Sequence, residues 1–264
     1  MNLTSVDTCL STLKAADEYL CHPLCIQCGY YLSQNLTKDN VLEIFRSTFR
    51  FCSICCEENY IPSAPSETQI AESTATDNTT NDMKETFDDL VEKCLTIIDK
   101  SGNDLVKSET FEDLDRECLR VVVFRDTLKV SEIELFRALV RWAECTCKRS
   151  GQTINSEQIR SALGELRFAP RYLTLSSQEF LDVDGPGSKE VLTRAENNAI
   201  VAHIFGNPAI EFPSGMEEYV PILKTPRNSK NYNKCDSNKE KKKKKKWYSN
   251  IPENTIVALS YIFD

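Results

Sequence analysis

A chain of 264 residues with 41% hydrophobic and 27% charged residues can build one or two apolar cores, and no stretch reaches the roughly 18 apolar residues of a membrane helix. The net charge of −8 is uneven: residues 231–264 carry eight lysines against four acids, leaving −12 on residues 1–230, a body that repels nucleic acid. The first twenty residues lack a basic n-region and an apolar h-region, so a cytoplasmic location is expected, with the twelve cysteines reduced, most of them small buried hydrophobes, and Asn2, Asn35 and Asn78 free of glycan.

Cys9 or Leu10, Leu13, Ala16 and Leu20 share one face and predict a first helix. Pro23, suited to a first helical turn, opens a second that carries Leu24, Cys25, Cys28 and Leu32. Thr37 is expected to cap a third, with Leu36 and Val41 as a staple and Leu42, Phe45 and Phe49 facing inward. Residues 57–84, rich in Ser, Thr, Asn, Pro and acid, bury too little surface to offset the entropy of ordering and predict a disordered insertion. Phe87, Leu90, Val91, Cys94, Ile97 and Ile98 follow the 3.6-residue period, with Ser101-Gly102 as the expected stop.

Asp115 is expected to cap a short helix through Leu119, Val122 and Val123, which absorbs the β-like run at 121–124, too short to found a sheet. Ser131 and Glu134 have capping-box spacing, with Val130 and Leu135 as a staple. Behind them Leu135, Leu139 and Trp142, flanked by Phe136, Val140 and Ala143, form an apolar stripe wide enough for a core-facing helix. Asn155 caps a helix with Ile159 and Leu163. Ser176–Glu179 and Thr193–Glu196 are two further capping boxes, ahead of Phe180 and of Ile200 and Ile204. From about Phe212 onward proline, asparagine and lysine take over, and the closing apolar run is too short to span a bilayer. The fold class is all-α.

Cys25-Ile-Gln-Cys28 and Cys52-Ser-Ile-Cys55 space four thiolates as paired zinc knuckles. Against that, Cys25 and Cys28 fall in phase with Leu32 on a helix, and the 23-residue spacer is longer than a zinc ribbon's. Buried structural thiols, with no metal and no cofactor, are the expectation; a zinc-binding regulatory domain is the alternative. His22 stands at a helix cap and His203 near a polar helix face, neither placed as a catalytic base, and the eight glycines form no phosphate loop, so no enzyme is expected. Lys241–Lys246 reads as a solvated low-complexity tail, with nuclear import as the alternative.

Leu13–Phe45 resembles the last helices of a BTB/POZ domain running into the first helix of a BACK domain. Cys94–Arg149 is similar to the central BACK repeats, and residues 167–180 to the next BACK helix pair. The pattern is most similar to the BTB-BACK-PHR adaptors, over residues 8–213 apart from the insertion. The resemblance implies a BTB remnant at 1–35, an antiparallel helical BACK repeat at 36–213 and a flexible Lys-rich tail at 214–264. It also implies a non-enzymatic adaptor that brings protein substrates to a cullin-3 RING ubiquitin ligase. In that family the BTB domain dimerises and meets the cullin, the first BACK helices extend the contact, and a PHR domain addresses the partner. The BTB sheet and the PHR domain are not in this sequence, so a monomer that binds cullin-3 weakly is expected, with a truncated competitor of full-length adaptors as an alternative role. Tyr19, Leu42 and Phe45 are the expected cullin-facing residues, a place in the core being the alternative for each.

Overall fold

The structure is a computed structural model that describes residues 3–53, 78–184, 191–207 and 210–227. Eleven α-helices and four short 3₁₀ turns make up its regular structure, and no strand occurs among the described residues. One apolar core runs continuously from Cys9 to Leu223.

The N-terminal group is α1 (Val6–Glu18), α2 (His22–Gln34), α3 (Val41–Thr48) and the long α4 (Asn78–Leu105). Helix α2 packs between α1 and α4, and α3 lies against α4. The α2–α4 crossing is close because Gly29 faces Thr86: a Cβ at Gly29 would lie 2.8 Å from the Thr86 methyl. Large apolar side chains from all four helices fill the space between them, including Leu13, Leu32, Ile44, Phe45, Phe87 and Leu90.

Three sequence expectations change here. Helix α4 already begins at Asn78, inside the segment predicted to be disordered, because Met83, Thr86 and Phe87 extend its buried stripe toward the N-terminus. Residues 57–77 of that segment lie outside the described residues. The helix also runs through Ser101-Gly102 to Leu105. Gly102 serves close packing rather than termination, since a Cβ there would meet the Lys129 carbonyl oxygen at 2.7 Å. Third, Asn40 and not Thr37 holds the N-cap position of α3, and its side chain bonds the preceding turn, not the helix. The Asn40 side chain accepts from the Thr37 amide at 2.8 Å and donates to the Asn35 carbonyl at 3.0 Å, which closes the turn before the helix.

The second group is α5 (Glu109–Glu112), α6 (Arg116–Val123), α7 (Glu132–Arg149), α8 (Ser156–Leu163), α9 (Ser177–Asp184), α10 (Arg194–Ile204) and α11 (Val220–Lys224). Helix α7 is its axis and packs on α5, α8 and α9. Leu135, Leu139 and Trp142 are buried as its stripe predicts. The two groups are tied where α4 ends. The Asp99 carboxylate takes a two-pronged Arg125 guanidinium at 2.8 and 2.9 Å and the Thr127 hydroxyl at 2.6 Å, while the Asp99 carbonyl accepts the Lys129 amide.

Capping boxes form at Thr193–Glu196 and at Ser176–Glu179, and Asn155 caps α8 through the Gln158 amide. Ser131 and Asp115 occupy N-cap positions of α7 and α6, but neither side chain bonds its helix. The Ser131–Glu134 box is therefore not made. Residues 214–227, predicted as flexible tail, are packed: Met216 and Leu223 are fully buried and Arg227 nearly so. Residues 228–264 lie outside the described residues.

Candidate protein-interaction surface

Between Glu18 and Pro23 the chain leaves one helix and enters the next with no glycine to make the reversal. A helix of this kind ends with one residue in the left-handed region, and Leu20 takes that role at φ 54°. The Leu20 amide bonds the Asp17 carbonyl at 3.0 Å and the Cys21 amide bonds the Ala16 carbonyl at 2.7 Å, the paired closure of a Schellman motif. For a γ-branched residue this backbone costs on the order of 1–2 kcal/mol relative to glycine.

The turn thereby displays its side chains. Tyr19 is 84% exposed and Leu20 75%, the two most exposed large hydrophobic residues described. Asp17 at the end of α1 pairs with Arg50 at 2.9 Å, and the Arg50 guanidinium lies 4.7 Å over the Phe51 ring, which fixes the flank of the turn against α3's continuation. An aromatic and an aliphatic side chain are thus exposed side by side on a turn with a left-handed residue, the side-chain types that protein interfaces bury as anchors.

Of the three residues predicted to face a partner, Tyr19 alone is exposed to solvent. Leu42 is 2% exposed and Phe45 0%; both point into the core beside α4, and Phe45 packs at 5.3 Å on Phe49. The inner stripe of α3 is a packing stripe. Leu20, read from spacing as part of the buried face of α1, lies past the helix end and outside the core. Nothing in the spacing pointed to this role: α2 also leaves its helix without a glycine, at Asn35, and uses no left-handed residue.

The cysteines of the zinc alternative are dispersed. Cys25 and Cys28 are buried on the inner side of α2, and the Cys52 thiol donates to the Phe49 carbonyl at 2.9 Å. Cys55 lies outside the described residues. Among the described residues no three His, Cys, Asp or Glu side chains gather in a metal-holding group. Burial, helped by neighbouring Asp17, pushes the Cys25 thiol up to about 11; burial and then the Cys28 thiol push Cys9 up to about 12. Such thiols stay protonated and pack as small hydrophobes. His22 is the first residue of α2, and His203 Nδ1 lies 2.9 Å from the Ala199 carbonyl with its ring stacked on Phe212 at 4.2 Å. Among the described residues no helix is long and apolar enough to cross a membrane. Lys241–Lys246 lie outside the described residues.

Residues 83–169, from within α4 to the turn after α8, match the family model described as BACK, BTB And C-terminal Kelch. The chain is 27% identical over 209 residues to BTB/POZ domain-containing protein 6 of Xenopus tropicalis and 26% identical over 209 residues to that of Homo sapiens. It is 28% identical over 196 residues to BTB/POZ domain-containing protein 3 of Homo sapiens. These alignments cover 78%, 78% and 74% of this chain but 33%, 32% and 31% of the relatives, so the chain spans about a third of the length of the curated relatives it matches. No solved structure matches it. The all-helical architecture, the BACK match over α4 to α8, and the similarity to BTB/POZ domain-containing proteins together support a BTB/BACK-type protein.

Proposed function

We propose that this chain is a non-enzymatic adaptor that helps a cullin-3 RING ubiquitin ligase recruit protein substrates in the cytoplasm. The relationship to BTB/POZ domain-containing proteins supports a protein-interaction role. The observation that carries the reading is the α1–α2 turn, where Tyr19 and Leu20 are held out to solvent by a strained backbone. Leu42 and Phe45 act from behind, as the core that keeps α3 and the turn in place.

A stable protein interface buries on the order of 1,000 Å² or more. One helical turn with two anchor residues falls short of that. The reading therefore implies a monomer that binds the cullin-3 N-terminal region weakly, and more tightly when a complete BTB domain is fused ahead of Met1. Titration calorimetry and light scattering on both forms test it. In the BTB-restored form Tyr19→Ala and Leu20→Ala should each weaken binding by roughly tenfold or more, the usual effect of removing a buried anchor. Absence of binding after the BTB domain is restored would overturn the cullin reading; unchanged affinity in both variants would move the contact elsewhere on the chain.

A further inference from the structure

The segment 210–227, beyond the BACK match, returns across the second helical group as a strap. Met216 and Leu223 are fully buried in it, and Tyr219 sits against Phe168 at 5.1 Å and Phe124 at 5.9 Å. Arg227 closes it. Its guanidinium bonds the Glu132 carboxylate at 2.9 Å, the Val123 carbonyl at 2.8 Å, the Ala169 carbonyl at 3.1 Å and the Arg125 carbonyl. A single cation thus covers carbonyls at the C-terminal end of α6 and an acid in the first turn of α7.

Two residues before this lock stands Thr225, followed by Pro226. It is the sole Ser-Pro or Thr-Pro step in the sequence, flanked by Lys224 and Arg227. Thr225 is exposed, and the proline holds it extended at φ −93°, ψ 115°. Its hydroxyl closes the last turn of α11 by donating to the Pro221 carbonyl at 2.7 Å.

We propose that Thr225 is a phosphorylation site for a proline-directed protein kinase, and that the phosphate unlocks the strap. In the transfer, the Thr225 oxygen–phosphorus bond forms as the γ-phosphorus of a nucleoside triphosphate parts from its bridging oxygen. The hydroxyl proton passes to the kinase's base and nucleoside diphosphate leaves. The product has lost the donor that closed α11 and carries about −1.5 to −2 charges among carbonyls at a helix C-terminus, the end that disfavours anions. It also stands two residues from a guanidinium whose bonds hold the strap. Turning Arg227 toward the phosphate draws it away from Glu132 and the three carbonyls, so repulsion at α11 and attraction to Arg227 both loosen the segment.

The test is to incubate the full chain with a proline-directed serine/threonine kinase and nucleoside triphosphate, locate the phosphate by peptide mass, and follow hydrogen exchange. One phosphate on Thr225 is expected, with amide exchange in 216–227 faster by roughly ten- to a hundredfold, as when a charge-assisted hydrogen bond is lost. Exchange in α2 and α4 should not change. Arg227→Gln should loosen 216–227 to a similar extent without kinase, and Thr225→Val should take up no phosphate. Failure to label the folded chain, labelling confined to Arg227→Gln protein, or labelled Thr225 with the strap's exchange unaltered would each overturn the proposal.

Discussion

The indole Nε1 of Trp142 donates to the carbonyl of Leu114 at 2.8 Å, so the largest side chain of α7 also satisfies the backbone between α5 and α6. Trp142→Ala should cost about 3–5 kcal/mol through the cavity it leaves. Trp142→Phe keeps most of the ring but strands a buried carbonyl, and about 1–3 kcal/mol is expected. Urea unfolding of both variants checks this; a Phe variant as stable as the parent would mean that the hydrogen bond contributes nothing.

Gly102 lies where α4 meets the 125–131 loop. An alanine methyl there would stand 2.7 Å from the Lys129 carbonyl oxygen and 2.9 Å from Leu128 Cδ1. The nearer atom is backbone and is held by the Asn103 amide at 3.1 Å, so it cannot swing aside. Gly102→Ala should destabilise by about 1–3 kcal/mol despite alanine's better helix propensity. Ser101→Ala, one position earlier, should change stability by about 0.5 kcal/mol at most. Equal melting temperatures for the two variants would show that the loop yields.

Leu20 separates stability from binding. Leu20→Gly relieves the left-handed strain and should raise stability by about 0.5–1 kcal/mol once glycine's greater unfolded-state entropy is set against it. Leu20→Ala keeps the strain and should leave stability nearly unchanged. Both remove the exposed side chain, so both should weaken partner binding. A Leu20→Gly protein less stable than the parent would show that the side chain packs more than its exposure indicates.

The buried thiols set an alkaline limit. Burial pushes Cys9 and Cys94 from the ordinary 9.0 up to about 12, and Cys25 up to about 11. The folded chain holds these protons more tightly than the unfolded chain. Their contribution is therefore complete below pH 9 and is lost as pH rises from 9 through 11 and 12. Denaturation midpoints measured across that range should fall, and Cys94→Ala should show a smaller fall than the parent. Among the described cysteines exposed Cys21 should alkylate first in the native chain, with Cys9, Cys25 and Cys94 protected until it unfolds.

Helix order and the apolar faces were legible in the sequence because periodicity reports burial directly. The helix ends were legible only where no distant group intervened. At Thr193–Glu196 the two side chains answer each other's backbone, as spacing predicts. At Ser131–Glu134 the Ser131 amide is taken by Asn103 Oδ1 at 2.9 Å, and the Glu134 carboxylate turns to Arg137 at 2.8 Å and Lys107 at 3.5 Å. Local spacing cannot register those competitors. Of the expected site, Tyr19 is exposed at a helix end, whereas Leu42 and Phe45 were assigned outward from resemblance although their own periodicity with Phe49 marks them as core. The packing of segment 214–227 is not legible in the sequence because its few inward groups, buried Met216, Leu223 and Arg227 and half-buried Tyr219, are scattered among prolines and charges with no sustained period.

Ser53 binds Asp88 through both its amide, at 2.6 Å, and its hydroxyl, at 2.7 Å. Asp88 lies ten positions into α4 from Asn78, about 15 Å along the helix axis. A handful of residues would bridge that distance, whereas the sequence places 24 between Ser53 and Asn78. The fold therefore sets no demand on the length of this connection, since lengthening a loop severalfold adds only about 1–2 kcal/mol of closure entropy. A foreign peptide, an epitope tag or new chain termini placed there should leave the helical body intact, which makes residue 53 to residue 78 a natural grafting point for engineering this scaffold.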